Sequence, residues 1–196
     1  MMRSTSQFRI SDLTKGAMFI ALMAIGANLT AFITIGTVPL TFQSVIAILA
    51  GILLGKKLGA FSIIGYIMVG LIGVPVFAGF SGGFQVLASP TLGFLLSFVA
   101  IAYVSGRLVE GKTEPTSTTY FKASLIGLLV NYFIGVPYLY FHSSVILQLE
   151  NIQFTTIAIS MGPFFAKDFI FALFTASIAP KLKKAQTFSS SMKEAS

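Results

Sequence analysis

Six long apolar runs follow one another along the chain, separated by glycine, proline, polar or charged breaks. A helix needs about 20 mostly apolar residues to cross a bilayer. On that measure the runs predict membrane spans over residues 13–35, 42–54, 58–73, 91–109, 120–141 and 163–180. The second and third runs are short, which favours tilted helices or helices that stop inside the protein. The pattern predicts an all-α integral membrane protein in which residues 1–196 form a single transmembrane domain.

Composition supports a membrane protein. Hydrophobic residues make up 55% of the 196 residues and charged residues only 10%, whereas soluble domains carry about 25% charged residues. The first apolar run is longer than the core of a secretory signal and lacks a small-residue cleavage pattern, so we expect it to be the first span. The chain has no cysteine and a single histidine, His142, which excludes thiolate and multi-histidine metal sites. We therefore expect neither a metal nor a cofactor.

The distribution of lysine and arginine predicts the orientation, because cytoplasmic connections are enriched in these residues. With six spans and both termini in the cytoplasm, all of the 13 basic residues but one fall on the inner side. The exception is Lys167, which lies within the sixth predicted span. The net charge of +7 therefore reflects membrane topology rather than binding to nucleic acid, and we expect a multi-pass protein of the cell membrane.

The segment GILLGKK at residues 51–57 has a superficial likeness to a phosphate-binding loop. Only three residues separate its glycines where the motif has four, and Lys57 stands where a magnesium-binding Ser or Thr is required. The glycines Gly51, Gly55 and Gly59 fit a helix-packing face of small residues instead. No paired carboxylates or catalytic triad can be assembled within the spans. We expect that the chain is not an enzyme and does not hydrolyse ATP by itself.

The first span carries a stripe of small residues, in which Ala17, Ala21 and Ala24 recur at helical spacing. Such a stripe allows another helix to approach closely. The partner is either a helix of the same chain or a second membrane subunit. Because the six spans contain no motif that supplies energy, docking to another subunit gains weight.

Asp168 is the one acidic residue within a predicted span, and it stands beside Lys167 in the segment MGPFFAKDFIFALF. Charged groups are costly in a bilayer, so an ionisable residue there marks a functional site by default. The alternative is that the two charges neutralise each other. Adjacent helix positions are about 100° apart and face each other poorly. This favours separate roles for the two residues, with Asp168 in an outward-facing pocket.

Two helical faces could enclose such a pocket. The sixth span places four residues on one face by helical spacing: Phe164, Asp168, Phe171 and Thr175. The fifth span has a polar stripe within an apolar helix: Asn131, Gly135, Tyr138 and His142. An asparagine in a membrane helix is as often a link between helices as a ligand-binding group. Together the faces would form an apolar cavity with a few polar groups, which is typical of small-molecule sites.

The predicted outer ends of three spans share a pattern of glycine and proline at residues 35–40, 72–77 and 134–139. Such residues end or kink helices, so these elements are either ordinary helix stops or a shared device that encloses a ligand. The long third connection is rich in glycine and phenylalanine and could fold over the pocket as a lid. Further ligand candidates lie near these connections: Gln43, Phe80, Phe84, Gln85, Ser89 and Thr91.

Five motifs in this chain resemble the BioY family, the biotin-specific subunits of energy-coupling-factor transporters. They are VPLTFQ at 38–43, GVPVFAGFSGG at 73–83, SPTLGFLLSF at 89–98, YFIGVPYL at 132–139 and GPFFAKD at 162–168. The resemblance implies a six-helix subunit that captures biotin from outside and partners a T-type transmembrane subunit and two ATPases. It also implies that Ala17, Ala21 and Ala24 contact the T-type subunit and that Asp168 binds the ligand.

The family pattern differs from this chain near the aspartate. It places a lysine three residues after Asp168, where this chain has Phe171, and this chain carries Lys167 before the aspartate instead. The predicted ligand-binding set is Asp168, Lys167, Asn131, Tyr138, Phe164, Gln85, Gln43, Phe80, Phe84 and Ser89. We expect Asp168 and Asn131 to bind the ureido ring, Lys167 to meet the carboxylate, and aromatic residues such as Tyr138 to cover the ring.

Two other classes of protein stay open at this point. A stand-alone proton-coupled vitamin carrier could use Asp168 as its titrating group. An intramembrane enzyme would need several ionisable residues within the spans, and their shortage argues against it.

Overall fold

The computed structural model describes residues 10–194, with side chains described up to residue 186. Within that range the α-helices are α1 Ile10–Asn28, α2 Gln43–Leu54, α3 Lys56–Leu71, α4 Leu92–Glu110, α5 Ser117–Phe141, α6 Phe154–Ser160 and α7 Gly162–Glu194. A 3₁₀-helix, Phe84–Ala88, precedes α4, and a π-helical turn, His142–Ile146, follows α5. Two short strands, β1 Thr34–Ile35 and β2 Val38–Pro39, pair antiparallel between α1 and α2. Helices therefore dominate the fold, as the apolar runs predict.

Length and hydropathy identify four helices in the described part of the chain that could cross a membrane: Ile10–Asn28, Leu92–Glu110, Ser117–Ile146 and Gly162–Gln186. The helices α2 and α3 are shorter, with 12 and 16 residues, or about 18 and 24 Å at the rise of an α-helix. The second and third apolar runs thus form short helices. The count of six crossings and the orientation of the termini stay predictions.

The helix α1 ends at Asn28, although the first apolar run continues to residue 35. Beyond it the chain turns into the β1–β2 hairpin, in which Gly36 has a φ of +63°, a value that glycine adopts without steric cost. The Thr30 hydroxyl donates to the Leu40 carbonyl at 2.7 Å and closes the base of the hairpin. Local backbone pairing therefore ends the helix before the apolar run ends.

The helix α4 lies at the centre of the bundle, where it packs against α2, α3 and α5. On one side α1 packs on α2 and α3, and on the other α7 packs on α2 and α5. Fully buried side chains from these helices form the core, among them Met23, Ile48, Ile63 and Ile101. Since α2, α5 and α7 all touch one another, the candidate residues on these three helices can converge.

Gly51 lets α2 approach the backbone of α4. A Cβ atom at this position would lie 2.2 Å from the Ala102 carbonyl oxygen and 2.9 Å from the Gly106 nitrogen. Gly59 is similarly tight, because its Cβ would lie 2.8 Å from a carbonyl oxygen of α2. Gly55 does not continue this packing face as predicted, since with a φ of +86° it forms the break between α2 and α3. Two of the three glycines therefore allow close contacts between helices, and the third separates α2 from α3.

Basic residues from separate elements meet at one end of the bundle. Lys56 Nζ lies 3.3 Å from Glu110 Oε2, and the Lys56 backbone N–H donates to Glu110 Oε1 at 2.8 Å. Lys183 Nζ donates to the Leu53 carbonyl at 3.0 Å. The junction of α2 and α3 therefore lies beside the last turn of α4 and the later part of α7. We call the end that holds Lys56, Glu110 and Lys183 the basic end.

Gly51→Ala should destabilise the protein, because the added methyl group has to displace the backbone of α4. Overpacking of this kind costs about 1–3 kcal/mol, which outweighs a helix-propensity gain of about 1 kcal/mol. We expect a lower midpoint of thermal unfolding in detergent. Gly162→Ala is the matched control, since nothing lies within 4 Å of its added Cβ. Equal midpoints for the two variants would contradict the close packing of α2 on α4.

Candidate functional site

A cavity of about 670 Å³, counting its open mouth, lies at the end of the bundle opposite the basic end. The helices α2, α4, α5 and α7 form most of the wall, and the β1–β2 hairpin and the loop between α3 and α4 cover it. Most lining residues are apolar or aromatic. The polar and charged ones are Thr41, Gln43, Ser44, Tyr66, Thr91, Asn131, Tyr132, Lys167 and Asp168.

Asp168 joins three helices at the wall of this cavity. It is only 6% exposed, and both of its carboxylate oxygens are hydrogen-bonded. Ser44 from α2 donates to Oδ1 at 2.9 Å, and Tyr132 from α5 donates to Oδ2 at 2.9 Å. A buried charge is stable only when it is hydrogen-bonded and paired. The two hydroxyl groups therefore hold the carboxylate in one orientation at the cavity wall.

Lys167 supplies the opposite charge. Its Nζ lies 2.6 Å from Asp168 Oδ1, donates to the Thr41 carbonyl, and stands 5.5 Å from the centre of the Phe42 ring. The expectation that these neighbouring residues take separate roles is wrong in this respect, because they form an ion pair. The long lysine side chain bends toward the start of α2 and so overcomes the angle of about 100° between adjacent helix positions.

Two amide side chains complete the polar part of the lining. The Ser97 hydroxyl hydrogen-bonds to Asn131 Oδ1 at 2.6 Å, so that Asn131 links α5 to α4 as well as lining the cavity. Gln43 Nε2 donates to the Tyr66 hydroxyl at 3.0 Å. Asn131 therefore has both of the roles that the sequence left open, because it links two helices and also lines the cavity.

Aromatic rings form much of the remaining wall. Phe94 and Tyr132 line the cavity and meet edge to face with their centroids 6.1 Å apart, and Tyr132 packs in the same way at 5.2 Å on Phe165, which lies outside the lining. Phe98 and Phe164 are also part of the lining and are buried. The cavity thus offers flat apolar surfaces around a small polar group centred on the Asp168 carboxylate.

Five residues of the predicted ligand-binding set line the cavity: Gln43, Asn131, Phe164, Lys167 and Asp168. Gln85 and Ser89 line an adjoining cleft of about 710 Å³ between the hairpin and the loop that precedes α4. The cavity and the cleft share lining residues, among them Phe77 and Thr91, so the cleft lies at the cavity mouth. Their roles in binding stay predictions.

Three further predicted residues lie outside the lining of the cavity that holds Asp168. Tyr138 packs against α4 at Gly93, where an added Cβ would lie 2.3 Å from the tyrosine Cβ, so the two helices touch and leave no space. Phe80 and Phe84 belong to the covering loop and are 72% and 70% exposed. Tyr138 shares a helix face with Asn131, but the cavity does not extend along α5 as far as Tyr138.

Sequence reasoning does not single out Ser44, Tyr66 or Tyr132, which the structure places among the polar groups of the cavity. Each lies beside or within an apolar stretch, and a tyrosine in such a stretch is expected to pack with its apolar neighbours. The sequence gives one hint of their role, which is that Ser44 and Tyr132 directly follow the predicted site residues Gln43 and Asn131. Only the folded arrangement brings their hydroxyl groups to Asp168 and Gln43.

A profile of the BioY family matches residues 2–188, which is nearly the whole chain. The chain belongs to the BioY family. The resemblance in the five motifs is thus confirmed. The biotin transporter BioY of Thermotoga maritima is 36% identical over 173 residues, which cover 88% of this chain and 96% of that protein. The putative biotin transporter BioYB of Bacillus subtilis is 40% identical over 129 residues, or 64% of each chain.

A solved structure supports the same assignment at the level of the fold. This is a 2.1 Å crystal structure of the S-component for biotin from an ECF-type ABC transporter. It matches the BioY family member described here with a TM-score of 0.72 and 28% identity, covering 94% of this chain and 95% of that one. The helical arrangement is therefore that of an S-component.

Lys167→Met should destabilise this BioY protein more than Lys167→Met combined with Asp168→Leu. The single change leaves a buried carboxylate without its cation, and breaking a buried pair costs about 3–5 kcal/mol. Replacing both partners leaves no unpaired charge, so the remaining cost is that of the Ser44 and Tyr132 hydroxyl groups, which lose their acceptor. The midpoints of thermal unfolding in detergent provide the comparison. A double variant that is no more stable than the single variant would contradict this expectation.

Proposed function

We propose that this chain is the biotin-binding S-component of an energy-coupling-factor importer and that it captures biotin from the outside. One observation carries the proposal: the buried Asp168 carboxylate, held by Ser44, Tyr132 and Lys167, lies at the wall of a cavity lined mostly by apolar and aromatic residues. The relatives supply the ligand, since those described above are named for biotin. The BioY family consists of transporter subunits and not of enzymes, so no catalytic step is assigned to this chain.

The chemistry of biotin fits the polar and apolar parts of the cavity. Its ureido ring has N–H donors for Asp168 and a carbonyl acceptor that the Asn131 amide can complement. Its thioether ring and chain are apolar and suit the surfaces of Phe94 and Phe164. Its carboxylate is at the far end of the chain from the ureido ring, whereas Lys167 Nζ is 2.6 Å from Asp168, so with the ring on Asp168 the role of Lys167 is to neutralise that carboxylate rather than to meet the ligand's own.

Six helices, α1 to α5 and α7, cross the cell membrane in this proposal, with both termini in the cytoplasm. The support is the basic end, because lysine and arginine are enriched on the cytoplasmic side. The cavity at the opposite end then opens to the outside. The short α2 and α3 are compatible with a hydrocarbon layer of about 30 Å if irregular backbone at their ends is shielded by protein.

The outer face of α1 is the proposed docking surface for a T-type transmembrane subunit. Ala17 and Ala21 are exposed on this face, and their neighbours Met18 and Leu22 are 59% and 41% exposed. Ala24 is half-buried and packs against the core, so it lies at the edge of the face. Small residues allow close approach of a partner helix. ATP hydrolysis is then supplied by two partner ATPases.

Isothermal titration of the purified protein should show binding of biotin and not of thiamine or riboflavin. Asp168→Asn should weaken biotin binding by about tenfold or more, because the amide replaces one acceptor by a donor. The variant should remain folded but unfold at a lower temperature, because Lys167 loses its counter-charge while the amide oxygen still accepts a hydrogen bond. Unchanged affinity would remove Asp168 from the binding site, and tighter binding of thiamine or riboflavin would contradict the assigned ligand.

Thr175→Val is the matched control for this measurement. Thr175 is fully buried on the same helix, two turns further along, and its hydroxyl bonds within the helix to the Phe171 carbonyl at 2.8 Å. The Thr175→Val variant should bind biotin with the same affinity as the unaltered protein.

Transport into liposomes that contain this chain alone distinguishes an S-component from a proton-coupled carrier. An S-component should not accumulate biotin under a pH gradient, whereas accumulation would support the carrier.

Ala17→Leu combined with Ala21→Leu should abolish assembly with the T-type subunit and spare biotin binding. The larger side chains keep the partner helix away, while the cavity lies on other helices. Co-purification with the partner subunits and calorimetry with biotin measure the two properties separately. Ala166→Leu, the same change at an exposed position of α7, should assemble normally. Normal assembly of the α1 variant would exclude this face as the docking surface.

A further inference from the structure

The Tyr66 hydroxyl lies between two partners at the cavity wall. It is 2.9 Å from the Val76 carbonyl oxygen and 3.0 Å from Gln43 Nε2. The ring is fully buried and packs edge to face against Phe77, with the centroids 5.6 Å apart. Tyr66 therefore connects α3 to the first residue of α2 and to the loop that covers the cavity.

The chemistry of these groups determines the direction of both hydrogen bonds. A hydroxyl has one hydrogen, and a backbone carbonyl can only accept. The Tyr66 hydrogen therefore goes to Val76, and the Tyr66 oxygen accepts from Gln43. Within the Gln43 amide only the nitrogen can donate, so Nε2 is turned toward Tyr66 and Oε1 is left on the other side.

Gln43 is 6% exposed and lines the cavity. Among the described residues, none donates a hydrogen bond to its Oε1. Because Gln43 lines the cavity, a ligand N–H group that enters the cavity can donate a hydrogen bond to this oxygen. We infer that Tyr66 is a positioning residue that holds Gln43 as an acceptor for an N–H group of the ligand. The inference rests on the proposed function, because it names the part of the ligand that this site selects.

Asp168 adds further acceptor atoms to the same cavity, whereas the hydroxyl groups of Ser44 and Tyr132 already donate to it. The polar wall on the side of α2 and α7 therefore offers acceptors from Gln43 and Asp168, with the Lys167 ammonium group beside the carboxylate. Such a wall selects a compact ring with free N–H donors, such as an unsubstituted cyclic urea. A ring that carries a methyl group on the nitrogen facing Gln43 loses the hydrogen bond and leaves the acceptor unpaired.

Calorimetry with biotin and with two derivatives, each methylated on one ureido nitrogen, tests the role of Tyr66. The unaltered protein should bind biotin about tenfold more tightly than at least one derivative. Tyr66→Phe keeps the ring but removes the hydroxyl, so the Gln43 amide is free to turn. Biotin should then bind about tenfold more weakly, and the preference for biotin over that derivative should shrink.

Gln43→Leu should lose the same preference, and adding Tyr66→Phe to it should cause no further loss, because the two residues act through one interaction. Tyr120→Phe removes the hydroxyl of another buried tyrosine outside the cavity and should leave all three affinities unchanged. Equal weakening of all three ligands by Tyr66→Phe, with the preference intact, would overturn the inference. Failure of the unaltered protein to bind biotin would overturn the proposed function, and this inference with it.

Discussion

The arrangement of the cavity depends on one buried carboxylate. Asp168 on α7 accepts hydrogen bonds from Ser44 on α2 and Tyr132 on α5, and its cation Lys167 also binds the Thr41 carbonyl just before α2. A carboxylate in the apolar interior is unstable unless its charge and its lone pairs are all matched. These matching groups come from three helices, so the helices that form the wall are held at defined distances from one another.

Close packing and open space alternate along the same helices. At Gly51 the backbone of α2 touches α4, whereas at its first residues, Gln43 and Ser44, the same helix faces the cavity. On α5 the cavity borders Asn131 and then ends where Tyr138 fills the space against α4. The cavity therefore exists because small residues close the bundle at one depth while aromatic and polar residues keep it open at another.

The site could be predicted where a single helix decides the outcome. Phe164 and Asp168 face the interior because they share one side of α7, and Asn131 does so on α5, as their helical spacing predicts. Ser44 and Tyr132 could not be identified in this way. Ser44 is 124 positions from Asp168, and no local pattern states which hydroxyl group will meet a given carboxylate. The predicted end of the first span is also wrong, because the apolar residues after α1 form a hairpin, which satisfies their backbone hydrogen bonds in place of the helix.

The sequence by itself determined the properties that depend on composition and on short local patterns. Apolar runs indicate a membrane protein made of helices, basic residues predict its orientation, and the ordered motifs identify the BioY family. The tertiary structure decided which polar groups meet: Lys167 pairs with Asp168, and Tyr66 joins Gln43 to the covering loop. The physical reason is that a hydrogen bond or an ion pair depends on the reach of side chains and on helix packing between distant parts of the chain, which periodicity and composition do not contain.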